Sequence, residues 1–171
     1  EAAGRVAELV GALKSFTHLD QAELQEIDII QGLESALTVI KPELGDRIGV
    51  VRDYGDIPPI TCYPGELNQV FLNLLSNAAK AIDGEGAVPV ATEADAAEGR
   101  ISPGDTGRGI APEHLERLFD MSFTTGDDRV KMGWGLATVD QVVKRQKGEV
   151  RVESRVGEGS TFTVALPLNW R

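Results

Sequence analysis

The chain has one cysteine, Cys62, among 171 residues. An internal disulfide is therefore excluded, and this usage suits a reducing compartment. Basic residues are scarce: 17 Lys and Arg stand against 27 Asp and Glu, a formal net charge of −10. A surface of that sign does not displace the counterions of DNA or RNA, which excludes a non-specific nucleic-acid binder. It does not exclude a small phosphorylated ligand, because a metal and a few local cations can offset phosphate charge. No apolar run approaches the length of a membrane span, and no signal peptide is visible. The first residue is Glu1 rather than Met, which reads as a piece of a longer protein. What is present is ordinary: 42% hydrophobic and 26% charged residues suit a globular core, and the length suits one domain with an appendage.

Apolar periodicity gives a coarse map. Val6, Leu9, Val10, Leu13 and Phe16 fall on one narrow helical stripe, which needs a partner in this chain or in a second copy. Residues 17–27 are polar and read as a linker. A second helical pattern runs from Ile29 through Leu33 and Leu37 to Ile40, with Asp28 placed to cap it. Residues 48–52 read as a strand. A long helix is predicted over 66–82, where Val70, Phe71, Leu74, Leu75, Ala78 and Ile82 keep the 3.6 period. Further strands are predicted over 87–92, from Arg100, over 149–154 and over 161–167, the last two joined as a hairpin. A short helix begins at Pro112. Residues 120–132 read as a loop, and residues 135–145 as a helix. Long helices with hairpin strands predict an α+β layer fold.

Three patterns carry chemistry. On the long helix, Asn73, Asn77 and Lys80 lie at i, i+4 and i+7 and share a face. An amide oxygen is a hard ligand suited to Mg²⁺, and a lysine adds a point charge for phosphate. The plain alternative is a solvated polar face. The second pattern is Asp105-Thr106-Gly107-Arg108-Gly109. An ionised carboxylate only accepts hydrogen bonds, so it can read the amine of adenine, and glycines let backbone pass close to a flat base. An ordinary Asp-Gly turn is the alternative. The third is Gly133-Trp134-Gly135-Leu136, read as preceding a helix whose free amides favour phosphate. Arg129 and Lys131 stand just before it.

The order and spacing of these patterns resemble the catalytic, ATP-binding domain of sensor histidine kinases, within the superfamily of gyrase, heat-shock protein 90 and MutL ATPases. The resemblance covers residues 60–168. It implies a two-layer α+β sandwich, a mixed and mostly antiparallel sheet on three helices (the Bergerat-type ATP-binding fold), preceded by an N-terminal helix. Residues 68–82 look like the family's N box. By that likeness Asn77 is the Mg²⁺ ligand, and Asn73 and Lys80 approach the phosphates as catalytic residues. Asp105, Gly107 and Gly109 match the first glycine box, whose Asp reads adenine. Residues 118–125 resemble the F box. Gly133, Gly135 and Leu136 match the second glycine box, and Lys131 lies in the lid that residues 120–134 would form over ATP. The segment from Gly157 to Phe162 looks like the closing hairpin, with Thr161 near the adenine pocket.

The resemblance also implies a division into residues 1–20, the end of a dimerisation and phosphoacceptor helix, and residues 21–171, the catalytic domain. The implied function is Mg²⁺–ATP binding for phosphoryl transfer to a histidine, followed by a response-regulator protein. The cytoplasm is the implied location, in a free enzyme or as part of a membrane-bound sensor. A homodimer through the N-terminal helix is a further expectation. Three positions depart from the family pattern. Lys131 replaces a glycine, Met121-Ser122 replaces a proline-aromatic pair, and Ser102-Pro103-Gly104 is expected to interrupt the strand leading into Asp105. The two histidines, His18 and His114, lack the family's phosphoacceptor context. His114 is expected to face solvent. The chain is therefore expected to bind ATP without phosphorylating itself, the acceptor lying on a partner domain. Two rivals remain: a serine kinase or ATPase of the same superfamily, and a degenerate docking or dimerisation module. Asn73 favours the kinase over the ATPase, which often carries Glu there.

Overall fold

The computed structural model describes residues 24–119 and 129–168, with the backbone alone for residues 129–135. The stripe over residues 6–16, the proposed boundary at residue 20, His18 and Met121-Ser122 all lie outside the described residues.

The elements in order are β1 (Gln25–Ile27), α1 (Ile29–Leu44), β2 (Ile48–Tyr54), β3 (Ile60–Cys62), α2 (Pro64–Lys80), β4 (Gly86–Ala94), β5 (Glu98–Asp105), α3 (Pro112–Leu115), α4 (Arg129–Arg145), β6 (Glu149–Arg155) and β7 (Gly159–Pro167). A five-stranded sheet runs in the order β2-β4-β5-β7-β6. Strands β2 and β4 are parallel, and the other neighbours are antiparallel. The parallel pair requires a crossover, and α2 lies within it. This delivers the C-terminal end of α2 beside the end of β5.

Helix α1 starts where its sequence says it should, because the Asp28 carboxylate accepts from the amide of Gln31 at 3.2 Å. Ile29, Leu33, Ala36, Leu37, Ile40 and Leu44 form its buried stripe. Leu67, Val70, Phe71, Leu74, Leu75 and Ala78 form that of α2. Leu136, Val139 and Val143 supply the stripe of α4. Against them the sheet turns Val88, Val90, Ile101, Phe162, Val164 and Leu166, all buried. Period 2 on the strands and period 3.6 on the helices meet in one core with Phe71 fully enclosed. Cys62 is also enclosed, and burial pushes its thiol up to about 12.

Three sequence expectations need correction. Residues 25–27 are not linker: they pair antiparallel with Ile60–Cys62 as a small second sheet. Two of the three side chains are polar and exposed, so pairing rather than pattern makes the strand. Pro103 does not interrupt β5, which runs unbroken to Asp105. Its ladder to β7 omits Ser102 and Pro103 and resumes at Gly104, so the missing amide costs a local gap only. The Ser102 and Thr163 hydroxyls bond at 3.1 Å across that gap. Helix α4 begins at Arg129, so Gly133 and Gly135 lie inside it rather than before it.

Candidate functional site

The end of β5 and the end of α2 are joined by a strap, residues 106–110. The orphan carbonyls at a helix end need donors, and the strap provides them. The Arg108 amide donates to Ala81 O at 3.0 Å, and its guanidinium donates to Lys80 O at 3.0 Å. From the other side Arg47 donates to Ile82 O at 3.0 Å and Gly84 O at 2.7 Å. Every strap residue is fixed. Thr106 exchanges bonds with Ala87, its amide donating at 3.1 Å and its hydroxyl accepting at 2.9 Å. The Gly107 amide donates to the Asp105 carboxylate at 2.8 Å. The Ile110 amide donates to Ser154 Oγ at 2.7 Å.

Both strap glycines are required by space. A Cβ on Gly107 would stand 2.1 Å from Ala81 O. Gly109 has φ +74°, and a Cβ there would stand 2.2 Å from Arg155 O.

Asp105 is 7% exposed. Burial pushes its carboxyl above the usual range, while amide bonds from Gly107 and Ser160 and the Arg108 charge pull the other way without overcoming it. A buried carboxylate with only backbone donors is poised to accept from a ligand amine. It lies in a cleft of about 550 Å³ lined also by Leu115, Val152, Ser154, Ser160 and Thr161. Asn77, 6% exposed, stands outside that lining on α2, one turn before the Ala81 carbonyl that meets the strap. Its Nδ2 is buried without a hydrogen-bond partner among the described residues. Asn73 is half-buried and accepts from Gln69 at 3.2 Å, and Lys80 is exposed. The structure thus brings Asn77, Lys80, Asp105, Gly107 and Gly109 around one strap.

The remaining expected site residues, Thr161 apart, lie on α4 or just before it. Leu136 is fully buried and belongs to the core cluster. The amides of Gly133 and Gly135 belong to α4, whose first carbonyls engage amides from Gly133 onward, so they are not free helix-start donors. The side chain of Lys131 and the F-box and lid residues 120–128 lie outside the described residues. His114 is half-buried rather than solvent-facing.

Thr161 lines the cleft that holds Asp105, as expected, and the strand register adds its neighbour Ser160. The β5–β7 register pairs Asp105 with Ser160 and Gly104 with Thr161. Side chains alternate along a strand, so Ser160 shares a face with Asp105, while Thr161 stands beside Gly104 on the other. Ser160 is 6% exposed. Ser154 is its cross-strand partner, with the two hydroxyls 2.8 Å apart. Sequence reading missed both serines, because only the register distinguishes residue 160 from 161. No group of three or more His, Cys, Asp or Glu that could cage a metal occurs among the described residues.

With this geometry in view, the relatives are informative. Residues 63–169 match the family model described as histidine kinase-, DNA gyrase B-, and HSP90-like ATPase. The chain is 36% identical over 166 residues to the sensor histidine kinase ZraS of Escherichia coli (strain K12), covering 96% of this chain and 34% of that protein. The chain thus spans about a third of that relative. The catalytic domain of histidine kinase ThkA superposes with a TM-score of 0.76 at 21% identity, covering 86% of this chain and 97% of that one. Full-length ShkA in complex with AMPPNP superposes with a TM-score of 0.76 at 27% identity, covering all 100% of this chain and 37% of that one. The chain thus belongs to the histidine kinase-, DNA gyrase B- and HSP90-like ATPase family, as an ATP-binding catalytic domain of the histidine kinase type.

Proposed function

We propose that this chain binds Mg²⁺–ATP and delivers the γ-phosphoryl group to a histidine on a helical domain of the same protein or of a dimer mate. A response-regulator protein would then receive it. The observation that carries this reading is the buried Asp105 carboxylate, fixed by backbone amides and lying next to a strap that docks on the Asn77 helix.

The residues present fit Mg²⁺. Asn77 offers an amide oxygen, the hard donor that Mg²⁺ takes, on a helix that ends against the strap. A site with one hard protein ligand and no carboxylate cage suits an ion that keeps water and phosphate oxygens as its other ligands. Asn77 would hold the metal, which would supply positive charge to offset that of the phosphates. Asn77 and Asn73 would orient that charge, and Lys80 would add a mobile cation at the same helix end. Lys131, in the first turn of α4, would add charge near the phosphates, and Gly133 and Gly135 would keep the next turn slim. Asp105 would accept from the adenine amine, with Gly107 and Gly109 admitting the base against the backbone. Phosphoryl transfer then rests on positioning and charge neutralisation.

The acceptor imidazole comes from elsewhere, since neither His18 nor His114 has the sequence context of a phosphoacceptor. Residues 1–20 would be the end of the helical domain that carries it, and the dimer contact would run through that helix. The kinase domain would work in the cytoplasm. Against the docking-module alternative, β5 continues through Pro103 to Asp105 and leaves that edge of the cleft intact. Incubation with labelled ATP alone should leave the chain unlabelled; acid-labile label on it would refute an external acceptor. Saturation with Mg²⁺–ATP at about a hundred times Kd should raise Tm by roughly 5–10 °C. No shift would refute nucleotide binding.

A further inference from the structure

Ser154 sits where three segments meet, and its single proton decides what Ser160 can offer. Its Oγ accepts from the Ile110 amide at 2.7 Å. It lies 3.2 Å from the Gly159 carbonyl and 2.8 Å from Ser160 Oγ. A carbonyl oxygen can only accept, so the Ser154 proton goes to Gly159. All three contacts are then hydrogen bonds only if Ser160 donates its own proton to Ser154. The Ser160 oxygen is left with lone pairs alone. Beside it on the same face lies the Asp105 carboxylate, also an acceptor. Two adjacent acceptors welcome an amine and repel a carbonyl.

We infer that Ser154 is a positioning residue that holds Ser160 as a hydrogen-bond acceptor, and so strengthens the preference of the site for a 6-amino over a 6-oxo purine. This rests on the reading of Asp105 as the base-recognition group. Without Ser154, the Ser160 hydroxyl is free to rotate and donate to a 6-carbonyl. The role differs from the tie that Ser154 provides to the strap, which would affect every nucleotide alike.

The probes are ATP and ITP, which differ in the 6-substituent, titrated calorimetrically in Mg²⁺ into the whole chain. Ser154→Ala should narrow the ATP-over-ITP preference by roughly three- to tenfold, the worth of one hydrogen bond. Ser154→Thr, which keeps the hydroxyl, should retain it. Ser160→Ala should narrow it similarly, and adding Ser154→Ala to Ser160→Ala should narrow it no further, since both act through one oxygen. An unchanged ratio in Ser154→Ala, with both nucleotides weakened equally, would overturn the inference and leave Ser154 as a structural tie. A wild-type chain that binds both nucleotides equally would overturn the reading of Asp105 and this inference with it.

Discussion

The two sides of the candidate site are built differently. On the side proposed for the base, every strap residue is hydrogen-bonded or sterically fixed: Thr106 to Ala87, Gly107 to Asp105, Arg108 to Lys80 and Ala81, Ile110 to Ser154, and Gly109 by its positive φ and close approach to Arg155. On the side proposed for phosphate, the Asn77 nitrogen is buried without a partner among the described residues, Asn73 accepts from Gln69 on its own helix, and Lys80 is exposed. A flat base is recognised by rigid complementarity, which the fold can complete in advance. A triphosphate with its cation carries most of its own ligands, so the protein needs few and keeps them uncommitted.

The largest effect should come from breaking the rigid side. Gly107→Ala forces a Cβ to within 2.1 Å of Ala81 O, so the strap must lift from α2. We expect about 1–3 kcal/mol of destabilisation in chemical denaturation and loss of measurable nucleotide binding. Wild-type affinity in that variant would contradict the docking of strap on helix.

Next comes Asp105→Asn, which separates function from stability. Burial raises the carboxyl of Asp105 above its unfolded value. A raised acid favours folding below the ordinary carboxylate range, and that contribution is lost as pH rises through the folded value. At neutral pH the ionised form therefore costs stability, and Asn removes the cost. The variant should melt higher at pH 7 and lose that gain as pH falls through the carboxylate range. Its ATP affinity should drop on the order of tenfold to a hundredfold, as for a lost charge-assisted hydrogen bond. In the wild type, affinity should fall as pH drops through the raised range of Asp105, a dependence absent from the Asn variant.

Asn77→Ala should weaken ATP binding on the order of tenfold in Mg²⁺ and leave affinity in chelator almost unchanged. Lys80→Ala should have the smallest effect, within about 1 kcal/mol and fading as salt is added, because an exposed cation is screened. Calorimetric titration with and without Mg²⁺ separates the two.

Legibility in the sequence followed the same division. The Asp28 cap, the α1 and α2 stripes and the β6–β7 hairpin are local patterns, and the structure keeps them. The three-residue β1 has no pattern of its own and exists because β3 offers an edge. Pro103 looked like a breaker because its missing amide is visible in sequence, whereas the tolerance of the β5–β7 ladder is not. The glycines at 133 and 135 read as preceding a helix, yet the helix starts at Arg129 and its first carbonyls accept from the amides of Gly133 and its successors. Asn77 and Asp105 were legible as chemistry because their spacing lies within single elements. Ser160 and Ser154 were not, because they meet Asp105 only through sheet register.

The most direct test of the account is a calorimetric titration of ATP and ITP, each in Mg²⁺ and in chelator, into wild type, Asp105→Asn and Asn77→Ala. The account predicts that Asn77→Ala loses the Mg²⁺ dependence and keeps the base preference, while Asp105→Asn loses the base preference and keeps the Mg²⁺ dependence. Loss of both properties in either variant, or of neither, would contradict a site divided between base and metal.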